Sequence, residues 1–280
     1  MIDPNECEIL APAGRISDIE PLLAAGADAI YAGLSGYSAR PKSSDFTADE
    51  IKRSVELIEA RGKKLYVAVN ANVKEEETES LCKEVAALDA AGVNAVIASD
   101  YGLMTRLANT VKHCQIHAST LAGVYNAEDV KGLKEMGVSR IILSSDLFVD
   151  EIAGIIDGVP DMEYEIVADG GICFNSNRQC LLPHTGCGEG YSVYCQKNYL
   201  LLKDGNLVSR AKRIGNPAGK IHRTMGIYLG LGISSFKIEG RTNSPDYILL
   251  RLKAMAESKR FFAEHKEEIA GMMHYIRRGE

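Results

Sequence analysis

Residues 25–33 read AGADAIYAG, and three later stretches repeat the design: AGVNAVIAS at 91–99, MGVSRIILS at 136–144 and LGISSFKIE at 231–239. Each couples a helix end closed by Gly to a short run rich in branched residues. Gly suits the left-handed position just past a helix, and an unbroken apolar run suits a strand covered on both faces. Adding 8–11, 65–70, 115–118 and 163–168 gives eight strands, mostly alternating with helices. The helices have readable starts. Thr47 and Glu50 form a capping box ahead of Ile51, Val55 and Ile58. Asn126 caps a helix carrying Val130, Leu133 and Met136, and residues 75–91 set acids in the first turn with Leu81, Val85 and Leu88 on one face. Repeated βα units in that number predict a parallel (β/α)8 TIM-like barrel. An open doubly wound sheet is the alternative, but no Gly-x-Gly-x-x-Gly turn follows the first strand.

The chain has 280 residues, a length one such barrel fills, so residues 1–280 read as a single domain. A hydrophobic fraction of 46% with 25% charged residues excludes disorder. No apolar run is long enough for a membrane span, and the start, MIDPNECEIL, lacks a secretory pattern, so the expected location is cytoplasmic. The net charge of −6 argues against a generic polyanion binder. Yet residues 196–260 hold 13 Lys and Arg against 4 acids. That asymmetry points to an anionic ligand, or to a solvated basic face.

Residues 170–230 break the βα rhythm, and long insertions in compact domains are usually functional. A hairpin is expected around Lys203-Asp-Gly-Asn206, and a helix after Pro245 with Tyr247, Leu250 and Met255 toward the barrel. Four of the seven cysteines, Cys173, Cys180, Cys187 and Cys195, fall in this insertion after strand 7. Cys7, Cys82 and Cys114 sit in apolar context and read as buried small hydrophobes. Thiolates suit zinc or iron–sulfur centres. The wide spacing lacks the short knuckles of structural zinc, so a [4Fe–4S] cluster fits better, with zinc and free thiols as alternatives.

In parallel barrels the chemistry sits where strands run out at the C-terminal face. Those positions hold Asn70 and Asn72, Asp100, His117 and Ser119, Asp146, Asp169, and Glu239 with Arg241, while Arg40 lies in the loop after the second strand. Their polar groups are expected to converge on one mouth, although any one could be a helix cap or a satisfied core group.

Several stretches resemble one family. Residues 8–14, EILAPAG, followed by 25–33, resemble the opening of the U32 family, long labelled peptidases or collagenases. YSAR at 37–40, DFT at 45–47, KLYVAVN at 64–70, HAST at 117–120 with Asn126, and GVSRIIL at 137–143 continue the likeness. GGIC at 170–173 with Cys180 resembles its signature region, and FKIEGR at 236–241 with Ser244-Pro245 its late motif. The resemblance covers about residues 8 to 260. It implies an oxygen-independent hydroxylase with a [4Fe–4S] cluster on four cysteines and prephenate as oxygen donor. Substrates in the family include a ubiquinone ring precursor, handled by a pair of related proteins, and pyrimidines of transfer and ribosomal RNA.

Carried over by position, Cys173 and Cys180 match the first two ligands, and Cys195, followed by Tyr199, matches a later one. Cys187 does not fall where the family's cysteine is expected; Tyr191 stands nearer. Asp169-Gly170 replaces a His-Gly pair, and Ser145-Asp146 an Arg-Glu pair. On this reading Arg40 and Arg241 hold the carboxylates of an anionic donor such as prephenate. Asp169 contacts substrate, and Asn70, His117 and Glu239 orient it or move protons. The chain's end soon after the barrel and its net charge lean toward a small aromatic acceptor and a second U32-like subunit. The basic stretch suits RNA. The other classes considered are a U32-type peptidase, for which no nucleophile or metalloprotease motif is present, and a non-catalytic cluster-bearing partner.

Overall fold

The computed structural model describes residues 1–39, 45–172, 199–211, 216–220, 224–240 and 243–268. Eight parallel strands close into a barrel: β1 (Glu8–Pro12), β2 (Ala29–Leu34), β4 (Lys64–Val69), β5 (Ala95–Ala98), β6 (Gln115–Ala118), β7 (Arg140–Ile142), β8 (Glu163–Ile172) and β12 (Ser235–Ile238). Closure is made by the first and last of them, with Glu8 opposite Ser235 and Leu10 opposite Lys237. The open-sheet alternative is therefore excluded. Around the strands lie α1 (Ile19–Ala24), α2 (Ala48–Glu59), α3 (Glu75–Ala90), α4 (Tyr101–Ala108), α5 (Ala127–Glu135), α6 (Val149–Gly158), α7 (Met225–Leu231) and α8 (Pro245–Glu264).

The repeated glycines explain the echo in the sequence. Gly26, Gly92, Gly137 and Gly232 have φ of 106°, 100°, 89° and 115°, a region that L side chains rarely adopt, and each turns a helix into the next strand. The expected caps form: the Thr47 hydroxyl accepts from Glu50 N at 3.3 Å, and Asn126 Oδ1 accepts from Asp129 N at 2.9 Å. In α3 the buried face carries Leu81, Val85 and Leu88.

Three expectations need correction. In α8 the buried residues are Ile248, Leu252 and Met255, whereas Leu250 is 67% exposed. At 3.6 residues per turn, positions 248, 252 and 255 share a face that 250 does not. The strand expected to stop at 168 runs on to Ile172, because β11 (Asn216–Lys220) pairs antiparallel with its end. Cys7 and Cys114 are buried as expected, but Cys82 is only half-buried.

β3 (Asp45–Phe46) adds beside β2, and β9 (Tyr199–Lys203) pairs with β10 (Asn206–Ala211) as the expected hairpin. Its turn has Asp204 at φ 51° and Gly205 at φ 79°, the two left-handed positions of a type I′ connection. Buried apolar side chains separate into two clusters. The larger lies between strands and helices. The smaller, Leu10, Ala29, Tyr31, Tyr66, Ala68, Ala95, Ile97 and Ile142, alternates along the strands and fills the barrel axis.

Candidate active site

Beneath the mouth the barrel interior is charged. Glu8, Arg140, Glu165, Ser235 and Lys237, all under 9% exposed, project from four strands. Arg140 Nη1 lies 2.6 Å from Glu8 Oε1 and 3.4 Å from Glu165 Oε2, and its Nε donates to Glu163 at 3.0 Å. The Ser235 hydroxyl donates to Glu8 and Glu165, and the Tyr66 hydroxyl donates to Glu8 at 2.5 Å. Lys237 Nζ sits 3.3 Å from Glu165 and 4.4 Å from the centre of the Tyr31 ring. Burial works against the Arg140 charge, but Glu8 and Glu165 outweigh it, so the guanidinium stays charged. Burial and then the Glu8 carboxylate push the Tyr66 phenol up, keeping it a donor.

His117 belongs to this lower layer. It is fully buried, its Nε2 lies 3.1 Å from Gln115 Oε1, and its ring meets Tyr66 edge-on at 4.9 Å. Burial, then the positive charges of Arg140, Lys237 and Lys64, hold it well below the usual imidazole range, so it is neutral. Its Nδ1 has no hydrogen-bond partner among the described residues.

At the mouth itself, Asn70, Ser99, Ser119, Ser144, Asp169 and Glu239 follow one another around the rim. Glu239 N donates to Asp169 O at 2.7 Å, which ties the ends of β8 and β12 together. Between them, a Cβ on Gly170 would stand 2.5 Å from Glu239 Cβ, so only glycine fits. Asp169 is 2% exposed and pairs with Arg251 of α8 at 3.3 Å. Arg251 also donates to Tyr247 Oη at 3.2 Å and lies 4.9 Å from that ring's centre. Asn70 accepts from Ala39 N at 3.1 Å and donates to Ser119 at 3.4 Å.

Asn70, Asp169 and Glu239 thus come to one end of the barrel, while His117 stands a layer below. Asp100 caps α4 through Leu103 N at 2.8 Å, and Asp146 bonds to Ser144 and Tyr125. Arg40, Arg241, Cys173, Cys180, Cys187 and Cys195 lie outside the described residues. Among the described residues no three His, Cys, Asp or Glu converge as a metal site, and no helix is long and apolar enough to cross a membrane. The basic stretch loses part of its surface meaning. Lys237, Arg251 and Lys259 are committed to Glu165, Asp169 and Asp28.

The sequence reading missed Arg251 and the charged interior. The signal was present: Glu8, Arg140, Glu163, Glu165 and Lys237 stand in otherwise apolar strands, where charge needs a partner.

The model of peptidase family U32 matches residues 14–276. The chain belongs to family U32. Among U32 relatives, it is 36% identical over 175 residues to tRNA hydroxylation protein P of Haemophilus influenzae, covering 62% of this chain and 38% of that one. The Escherichia coli protein of the same name is 35% identical over 233 residues, covering 79% and 50%. The 23S rRNA 5-hydroxycytidine C2501 synthase of Escherichia coli is 28% identical over 254 residues, covering 88% and 38%. The chain spans about half the length of the curated relatives it matches. In fold it is similar to the solved U32 peptidase Mk0906, with a TM-score of 0.52 at 15% identity over 59% of this chain and 70% of that one. Dihydrodipicolinate synthase of Acinetobacter baumannii matches at 0.56 and 12% identity, over 97% and 83%.

Proposed function

We propose that this U32 chain is an oxygen-independent hydroxylase of an aromatic ring, a small molecule or an RNA base, with prephenate as oxygen donor. The observation that carries the reading is sequence likeness to proteins named for tRNA hydroxylation and rRNA 5-hydroxycytidine synthesis. The donor set supports a [4Fe–4S] cluster. Four soft thiol ligands lie within a short segment, and the first of them, Cys173, directly follows Ile172, the last residue of β8. Zinc is the alternative occupant of the same thiols. Cys173, Cys180, Cys187 and Cys195 would hold the cluster, which would supply the redox chemistry when bound.

The chain's own residues do the rest. Arg40 and Arg241 bind donor carboxylates, since guanidinium forks match them bidentately. Glu239, packed over Gly170, is the residue best set to hold or move a proton at the ring. Neutral His117 can accept a hydrogen bond at Nδ1 if its Nε2 donates to Gln115. A hydrolase reading gains less, because His117 bonds to Gln115 rather than to a hydroxyl or thiol.

The test is purification without oxygen, with a visible spectrum and iron and sulfide analysis, repeated for Cys→Ala at each of the four positions. The expected result is a brown protein near four irons per chain, bleached by changing Cys173, Cys180 or Cys195; the Cys187 variant decides the fourth ligand. A colourless protein that reconstitution does not colour overturns the reading and directs attention to zinc content and peptide hydrolysis.

A further inference from the structure

Near its end β8 changes face. Val167 lies opposite Lys237, but the next pair in the ladder is Asp169 with Ile238, so Ala168 is the extra residue of a β-bulge. Residues opposite each other in a ladder point to the same face. Ile238 packs in the apolar cluster between strands and helices, so Asp169 is turned outward, toward α8. There its buried carboxylate meets Arg251 Nη1 at 3.3 Å. The guanidinium is itself held by Tyr247, one helical turn earlier, through the bond from Nη2 to Oη and the contact with the ring. Residue 170 then faces the interior again. A Cβ on Gly170 would stand 2.5 Å from Glu239 Cβ and 3.1 Å from Glu239 Oε2, so the Glu239 side chain rests on this backbone. The Glu239 N–H is fixed by the same segment, since it donates to Asp169 O at 2.7 Å.

We propose that Arg251 is a positioning residue for Glu239 and acts through Asp169. The ion pair holds the end of β8 against α8, and the end of β8 sets both the backbone and the side chain of Glu239. Asp169 and Arg251 thus serve the mouth from its outer side. The inference deepens the function proposed above and rests on it only for the duty of Glu239 toward a proton.

The test is carboxylate labelling of the full-length chain with a water-soluble carbodiimide and glycine ethyl ester, read by mass spectrometry. Glu239 is half-buried, so its labelling rate responds to how firmly it is held. After labelling, trypsin releases residues 238–241 as a peptide in which Glu239 is the only acidic side chain. Arg251→Met is expected to raise the Glu239 rate about tenfold, as when one charged hydrogen bond no longer opposes opening. Arg251→Lys keeps the charge and should label near the wild-type rate. Asp169→Ala should match Arg251→Met, and the double variant should label no faster than either, as residues acting as a unit do. Should Arg251→Met fail to fold, Arg251→Gln loses the charge but keeps a polar end, and it carries the same expectation.

Asp89 of α3 is the internal control. Its carboxylate accepts from the N–H groups of Lys112, His113 and Cys114, and its labelling should not change. Three results overturn the proposal: a wild-type Glu239 rate in Arg251→Met, a rate in Arg251→Lys as high as in Arg251→Met, or a rise at Asp89 equal to that at Glu239. The labelling needs neither cluster nor substrate. A chain that proves to be no hydroxylase defeats the proposed function alone, and the labelling still decides how Glu239 is held.

Discussion

At the scale of single residues, His117 shows how position overrides residue type. Read along the sequence it marks a strand end; in the barrel it is the third residue of β6, two residues before the rim. Its depressed pKa has a testable sign. Between the usual imidazole value near ~6.5 and its lower folded value, the unfolded chain binds a proton that the native chain does not. Stability contributed by His117 is therefore present above about pH 6.5 and falls as pH drops, by up to about 1.4 kcal/mol per pH unit. Denaturant melts of His117→Gln against wild type should show a flatter profile from about pH 6.5 downward. A parallel slope in the two proteins would mean that the buried imidazole takes up its proton as freely as an exposed one.

Asp28 carries the opposite kind of lesson. Burial raises its pKa, but hydrogen bonds from Lys259 and Lys63 prevail and hold it below the usual carboxylate range. Its contribution is complete above the unfolded value of ~3.9 and disappears as pH falls through the lower folded value. Replacing Asp28 by Asn should lower stability at neutral pH and shorten the acid limb of the stability curve, read from melting temperature against pH.

At the scale of elements, the fold was legible because it repeats. Four glycines at positive φ, each ending a helix and opening a strand, are a signal that survives without any knowledge of tertiary contacts. Caps were equally readable, since Thr47 and Asn126 bond to backbone three residues away. Thr47→Ala should cost about 1 kcal/mol, visible as a shifted midpoint in urea. Longer-range effects were not readable. The extension of β8 to Ile172 depends on β11, more than 40 residues later in the chain. Nothing local in the sequence says that Gly170 has Glu239 against it. Gly170→Ala should cost about 1–3 kcal/mol, the usual penalty for overpacking, and Glu239→Gly, which removes the Cβ that the new methyl meets, should lose less further stability in the Gly170→Ala background than in the wild type. Additive losses from Gly170→Ala and Glu239→Gly would place the strain elsewhere.

At the scale of the whole molecule, the candidate site was only half legible. The rim residues Asn70, Asp169 and Glu239 do gather at one end, because alternate strand positions and strand ends are fixed by the barrel itself. Which of them are free for chemistry could not be read, because Asn70 is committed to a loop and Asp169 to a helix that come from distant parts of the chain. The pairing within the charged interior could not be read for a similar reason. Each of its members looks like an isolated anomaly until Glu8 and Arg140, 132 residues apart, are brought together. Removing one partner of such a buried pair should be severe: Arg140→Met is expected to lose about 3–5 kcal/mol. Arg140→Met combined with Glu8→Gln should recover part of that loss by chemical denaturation, as the stranded carboxylate is then gone.

The closure between β1 and β12 also sets a clock on biosynthesis. Glu8 and Ser235 are separated by 227 residues, yet they bond to each other in the finished barrel. At about 5–20 residues per second on the ribosome, roughly ten to fifty seconds pass between them. During that interval the first strand has one open edge, waiting for its neighbour to be made.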